Sequence, residues 1–375
     1  MTAAVTSPFI IAELGTSHGG SIAKAKALVD AAAASGADCV KFQIVYADEI
    51  LHPNTGLVPL PGGDIRLYDV FKKLEVPPEF FGEMKTYAES KNVVFLASPF
   101  GPRSAAELKQ LAPMAVKIAS PELNYTQLVR EVARWGVPVL LSSGVSTLAD
   151  IEAALALFDE AGGRDNVILL HCVTSYPAPL SEYNLRLLTT LRGIFGVQTG
   201  VSDHSLEPEP VPCIASALGA SAIEKHFCLS RDDPGLDDPI ALPPARFAEM
   251  VKAVRLTADI RREGGETKAL AALGEQFGAG LVGAIVGDGV KRLSPSEAAN
   301  YGRTNRSIHA LVAIPEGALI TAENTAPLRT EKVLRPGLPP ALWEKILGCK
   351  ARVSIPAGEG VRLLDICFPL STFSF

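Results

Sequence analysis

No run of apolar residues in this chain approaches the ~20 needed to cross a bilayer. The N-terminal stretch MTAAVTSPFIIAELG has no basic segment ahead of an apolar one, so no secretory leader is expected either. The six cysteines (Cys39, Cys172, Cys213, Cys228, Cys349 and Cys367) form no CxxC pair. Reduced core thiols of a cytoplasmic protein are the reading that follows. Basic excess is missing as well: 35 Lys and Arg stand against 41 Asp and Glu, a net charge of −6. That balance speaks against a broad nucleic-acid surface but leaves room for a local cationic pocket that holds a small anion. No long repeat or low-complexity tract is present.

What is there is apolar material in a regular order. With 375 residues, 47% of them hydrophobic, the chain has enough for one large domain and a smaller one. From residue 9 to about 255, short apolar runs alternate with Ala- and Leu-rich stretches of helical period, many ending near a Gly. The runs are FIIAEL (9–14), CVKFQIV (39–45), VVFLAS (93–98), AVKIAS (115–120), VPVLLSS (137–143), VILLHCV (167–173), FGVQTGVSDH (195–204) and SAIEKHF (221–227). Continuous apolar runs are what strands buried on both faces require. Eight such units in this length predict an α/β fold of the (β/α)8 TIM-barrel type over 1–258, with a doubly wound open sheet as the alternative. The longest connection, from Tyr46 to about Lys73, carries several Pro and Gly and reads as a long loop at the C-terminal face of the barrel. Residues 259–305 read as a linker with one or two helices, and 306–375 as a small β-rich domain built on SIHALVAI, GALIT, ARVSI and GVRLL.

In a parallel barrel, polar residues at the C-terminal strand ends face the active-site mouth. Those ends hold Glu13, Lys41, Gln43, Ser98, Lys117, Ser120, Glu122, Ser142, Ser143, His171, Ser202, Asp203, His204 and His226. Lysine is rarely buried without a partner, so Lys41 and Lys117 with the serines point to a phosphate or carboxylate ligand. A buried salt bridge is the plain structural alternative for both, and equally for Glu13, whose functional reading is a group that handles a proton or positions water. His204 and His226 end successive strands, and two neutral imidazoles suit a divalent ion such as Mn²⁺, Zn²⁺, Co²⁺ or Fe²⁺. Asp203, Glu224 and Asp237 lie nearby in sequence and strengthen that reading. His18, in the first βα loop, fits a ligand contact or a helix cap equally well.

These residues resemble the bacterial sialic acid synthases over nearly the whole chain. The matching stretches are IAELGTSHGGSIAKAKALVDAAAASGADCVKFQ, FLASPF, VKIASPELN, LLSSGVST, LLHCVTSYPAP, GVSDHS, IEKHF and DPGLDDP. RSIHALVAIPEGALITAENTAPLR, RPGL and LGCKARVSIPAGEGV continue the likeness into a tail similar to the SAF domain, akin to type III antifreeze protein. The resemblance implies condensation of phosphoenolpyruvate with an N-acyl hexosamine aldehyde and water, N-acetylmannosamine first and a diacetamido-trideoxy hexose second. It implies that Lys41, Ser98, Lys117, Ser120, Ser142 and Ser202 hold phosphoenolpyruvate. His204 and His226 would then bind the divalent metal, Mn²⁺ or Mg²⁺/Co²⁺. Gln43, Glu122, Thr174, Tyr176 and Asp237 would line the sugar site, and Glu13 would assist proton or water transfer. It also implies that Arg329 reaches a partner subunit's sugar site in a domain-swapped homodimer. Three positions depart from the family pattern: Ser17 and Thr174 replace asparagines, and SGE becomes SPE at Ser120–Glu122. Two readings of another class stand beside the synthase, a Schiff-base aldolase using Lys117 and a non-catalytic carbohydrate-binding protein.

Overall fold

A computed structural model describes residues 7–60, 63–331 and 333–367. All eight apolar runs form strands: β1 (Phe9–Gly15), β2 (Cys39–Ile44), β3 (Val94–Pro99), β4 (Val116–Ile118), β5 (Val139–Ser142), β6 (Val167–Cys172), β7 (Gln198–Asp203) and β8 (Ala222–His226). They make one parallel sheet in the order β3-β2-β1-β8-β7-β6-β5-β4. Its two ends, β3 and β4, also lie side by side, so the sheet curls into a near-closed barrel. Crossover helices such as α1 (Ile22–Ala34) and α2 (Leu148–Glu160) surround it. Each starts where the sequence supplies a cap: Ser21 accepts from Lys24 N–H, and Thr147 forms a capping box with Asp150.

The period of two along a strand explains the barrel interior. Ile11, Cys39, Leu96, Leu140, Leu170 and Ala222 pack together as its apolar floor. Two residues further along each strand the same inward direction meets Glu13, Lys41, Ser98, Ser142, Cys172 and Glu224. Strand register sets Glu13 against both Lys41 and His226, and Glu224 against Ser202. The polar mouth is therefore the next layer above a hydrophobic plug.

The Tyr46–Lys73 connection differs from the long loop expected. It holds a helix at Ala47–Ile50, a hairpin of Val58–Leu60 with Gly63–Ile65, and a helix beginning at Leu67. The reason is a small apolar core of its own, in which Val45, Ile50, Leu51, Val58, Leu67 and Phe71 pack with Phe100.

Position 258 falls inside a long helix, α3 (Pro244–Phe277), bent at Gly265 where φ is +79°. Helix α4 (Ala279–Val286) follows, and Leu273, Val282, Ile285 and Val286 join the barrel's outer core. The segment read as a linker with one or two helices is thus largely helical, packed against the barrel along one side. Beyond it, β9 (Arg306–Ala310) pairs antiparallel with β10 (Thr325–Arg329), and β11 (Lys350–Ala351) with β12 (Ile366–Cys367). GALIT and GVRLL form no strands; they contribute isolated bridges, Leu319 with Lys350 and Gly360 with His309. Ile308, Ile314, Ile320, Ile346, Ile355 and Val361 form that domain's core. All six cysteines are free and only Cys367 is exposed. Among the described residues no helix is long and apolar enough to cross a membrane.

Candidate active site

At the centre of the mouth three charged side chains share one buried cluster. Glu224 on β8 meets Lys41 Nζ at 3.0 Å and Lys117 Nζ at 4.0 Å, and accepts a 2.8 Å hydrogen bond from Ser202 Oγ. Glu13 lies beside them, 3.3 Å from Lys41 Nζ, and accepts from Gln43 Nε2 at 2.6 Å. Burial would raise the Glu224 carboxyl, but the two lysines outweigh it and hold it well below the usual range. Burial also pulls Lys41 down, yet Glu13 and Glu224 together keep it above its ordinary value. Lys117 has less compensation, and burial lowers it to about 8. For Glu13 burial wins over Lys41 and raises it to about 7.

Around this cluster several buried polar atoms have no hydrogen-bond partner: Ser98 Oγ, Ser142 Oγ, Thr174 Oγ1 and His18 Nε2. Buried hydroxyls are normally satisfied. Two ammonium groups beside unpaired hydroxyls at strand ends form a receptor for an anion with several acceptor oxygens. Ser120 Oγ is turned elsewhere and accepts from Gly144 N–H at 3.0 Å. His18 lies against Phe42 and Phe80, its Nδ1 accepts from Gly20 N–H, and burial lowers it to about 4. Ser17, which replaces a family asparagine, donates its hydroxyl to buried Asp238.

His204 and His226 do converge, with ring centroids 5.4 Å apart. The Tyr176 ring stacks on His204 at 4.2 Å. His204 Nδ1 lies 2.9 Å from the Val173 carbonyl, which selects the Nδ1–H tautomer and leaves the Nε2 lone pair free. His226 Nδ1 is 3.8 Å from Asp237 Oδ2, and burial holds His226 well below its ordinary value while raising Asp237 to about 6. Burial lowers His204, but Cys172 and the Val173 carbonyl outweigh it and hold it above its ordinary value, so His204 would give up a proton to bind a metal. Two imidazoles at this spacing suit a divalent ion with two protein nitrogens and open positions. No group of three or more His, Cys, Asp or Glu is arranged to hold a metal among the described residues. Asp203 does not join the pair. One position from Ser202 on β7, it points out of the barrel and bonds Lys225 Nζ (2.7 Å), Tyr183 Oη (2.5 Å) and Ser205 N–H (2.8 Å).

The C-terminal domain closes over the β2, β3 and β4 side of the mouth. Glu122 is fully buried and takes two guanidinium groups: Arg329 Nε and Nη2 at 2.9 Å each, and Arg306 Nε and Nη2 at 3.0 and 2.9 Å. Arg306 also donates to the carbonyls of Glu49, Phe100 and Pro327. Within this single chain, Arg329 thus meets Glu122 of its own barrel. Domains exchanged between two chains would present the same faces to each other.

Sequence reading missed Arg306, Cys172 and Glu297. Cys172 Sγ lies 3.7 Å from His204 Nδ1, and although burial raises the thiol, His204 outweighs it and lowers it. The signal for Cys172 was strand parity, since it falls two residues beyond Leu170 of the barrel floor. Neither Arg306 nor Glu297 had a comparable local signal.

Comparison with known proteins agrees with this arrangement. Residues 28–266 match the NeuB family and residues 305–366 match the SAF domain. The spore coat polysaccharide biosynthesis protein SpsE of Bacillus subtilis is 34% identical over 369 residues, 97% of this chain and 95% of that protein. Its crystal structure superimposes with a TM-score of 0.78 at 32% identity, over 97% of this chain and 96% of that one. N,N'-diacetyllegionaminic acid synthase of Campylobacter jejuni is 30% identical over 94% of this chain and 98% of its own length. Pseudaminic acid synthase of the same species is 31% identical over 95% of this chain and 96% of its own.

Proposed function

The chain belongs to the NeuB family, and from that premise we propose that it condenses phosphoenolpyruvate with an open-chain N-acyl hexosamine and water, giving a nonulosonic acid and phosphate. It is an acid synthase of the transferase class, as its relatives' names indicate. Carbon-3 of phosphoenolpyruvate forms a bond to the aldehyde carbon, the aldehyde oxygen gains a proton, and water adds at carbon-2. Phosphate then leaves with cleavage of its C–O bond.

The observation that carries this reading is the pair of buried lysines beside unpartnered Ser98 and Ser142, facing two convergent imidazoles across one mouth. Lys41, Lys117, Ser98 and Ser142 take the phosphate and carboxylate oxygens, with Ser202 and Ser120 holding Glu224 and the neighbouring loop in place. Glu13, poised near neutrality between Lys41 and Gln43, transfers the proton or orients the water. Gln43, Thr174, Tyr176, Asp237 and the Glu122–Arg329 pair line the acceptor side. A divalent ion such as Mn²⁺ held by His204 and His226 would polarise the aldehyde carbonyl. We also propose a homodimer, in which exchanged C-terminal domains would bring Arg329 of one chain to the same contact with Glu122 on the other, and a cytoplasmic location, in keeping with cysteines that form no CxxC pair.

N-acetylmannosamine and the 2,4-diacetamido-trideoxy hexoses are the acceptor candidates, and the legionaminic and pseudaminic relatives favour the second. The test is phosphate release from phosphoenolpyruvate with Mn²⁺ across a panel containing both, N-acetylmannosamine 6-phosphate and mannose. Release with one acceptor, abolished by chelator, is the expected result. Borohydride trapping of Lys117 with pyruvate and no metal requirement would replace the synthase reading with an aldolase.

A further inference from the structure

The segment that joins the barrel to the C-terminal domain sends a carboxylate into the barrel mouth. Glu297, on the short helix Pro295–Ala298, is only 2% exposed. Its Oε2 accepts from the backbone N–H of Val145 at 3.1 Å and of Thr174 at 2.8 Å. Its Oε1 accepts from Ser294 N–H at 3.2 Å. Val145 and Thr174 lie on different loops, the first after β5 and the second after β6.

Val145 is the unusual member. Its φ is +43°, a conformation that a β-branched residue rarely adopts and that costs on the order of 1–3 kcal/mol. Both of its backbone polar groups end on the connecting segment, for its carbonyl accepts from Asn305 Nδ2 at 3.1 Å. Lys291 Nζ adds a contact to the Ser143 carbonyl at 3.3 Å. The turn so held begins at Ser142 and directs Gly144 N–H to Ser120 Oγ. It leaves no space at Gly144, where a Cβ would lie 2.1 Å from Thr174 Oγ1.

We infer that Glu297 is a positioning residue for the anion end of the site, holding the left-handed turn at Val145 and the Thr174 backbone so that Ser142 and Ser120 keep their places. The inference rests on the phosphoenolpyruvate reading above. A buried carboxylate accepting two N–H bonds is a stronger tie than a neutral acceptor, and its removal orphans both donors. With nothing opposing it, the strain at Val145 then relaxes the turn.

The experiment compares full-length Glu297→Ala and Glu297→Gln with the parent chain, by steady-state kinetics and by amide hydrogen exchange. Glu297→Ala should raise the KM for phosphoenolpyruvate about tenfold or more, and the acceptor KM by a smaller factor because Thr174 sits on the acceptor side. Glu297→Gln, which keeps one acceptor oxygen, should fall between and guards against a misfolded alanine variant. Adding Val145→Gly to Glu297→Ala should recover much of the loss, because glycine takes positive φ without penalty. Exchange protection should fall in segments 142–146 and 173–176 and stay unchanged in the barrel strands, whatever the turnover. Equal changes in both KM values, no recovery with glycine, or unchanged exchange in those two loops would overturn the inference. A parent chain that never releases phosphate would instead sink the synthase reading, and the exchange result would still decide the role of Glu297.

Discussion

Replacing Glu122 by alanine should open the C-terminal domain, and the size of the effect follows from what is left behind. Glu122 is a carboxylate shared by Arg306 and Arg329, whose side chains are 0% and 13% exposed. Removing one member of a buried ion pair costs about 3–5 kcal/mol because the remaining charge is stranded. Arg306 keeps three carbonyl acceptors, from Glu49, Phe100 and Pro327, so the lower end of that range applies. About 3 kcal/mol corresponds to roughly a hundredfold increase in the undocked population. Limited proteolysis between α4 and β9, which samples that population when reclosing is fast, should accelerate by a similar factor, and the acceptor KM should rise with it. Arg329→Ala leaves Glu122 with Arg306 and should cost less, about 1–2 kcal/mol. In the Glu122→Ala background Arg329→Ala should add almost nothing. Additive effects in that cycle, or cleavage no faster than in the parent, would refute the idea that this network holds the domain down.

Glu13 is raised to about 7 by burial in the free protein, so kcat/KM should climb as pH rises through that value if Glu13 acts as a base, and Glu13→Gln should remove the limb and lower kcat/KM by about 10²–10⁴. His204→Ala and His226→Ala should each abolish turnover and Mn²⁺ binding measured by equilibrium dialysis, with circular dichroism unchanged; full activity in either would refute the imidazole pair as the metal site. His309 is buried between Ser307, Thr330 and the Gly358 carbonyl, and burial lowers it to about 4 from an ordinary 6.5. It is neutral when folded and protonated when unfolded near pH 5, so the stability it contributes above pH 6.5 is lost as pH falls toward 4. That loss is about 3 kcal/mol, and denaturant titrations across this window should show it shrink in His309→Gln. Burial lowers Lys117 to about 8 even with Glu224 beside it to support its charge. In Glu224→Gln the KM for phosphoenolpyruvate should therefore begin its rise at lower pH than in the parent chain, and an unchanged pH profile would argue against the cluster.

The barrel was legible because its strands are buried on both faces and so appear as unbroken apolar runs. The mouth was legible for a related reason, since the last inward position of most strands breaks the run with a charge or hydroxyl; Cys172 on β6 does not. Strand parity, had it been applied residue by residue, also separates Glu224 and His226 from Asp203, which faces outward to Lys225. The C-terminal domain was harder to read because its pairing depends on isolated bridges and two-residue strands, too short for a period to show. Arg306 and Glu297 could not be read at all. Their partners lie 184 and 152 residues away and include backbone groups, which leave no mark on sequence.

The charge pattern of the mouth has one further consequence. Two lysines pointing into the same buried space would depress each other, and burial already lowers Lys117. Glu224 lies between them and keeps Lys41 charged before any ligand arrives, at the cost of partly neutralising the pocket. Ser202 fixes that carboxylate in place by donating to Oε1. An anion with several charges can share both ammonium groups with Glu224 without either lysine having to gain a proton on binding. A singly charged carboxylate offers too little to compete with Glu224 for both lysines at once. On the proposed reading, the cluster would favour a multiply charged anion such as phosphoenolpyruvate over pyruvate, and would do so through a residue that need not touch the substrate.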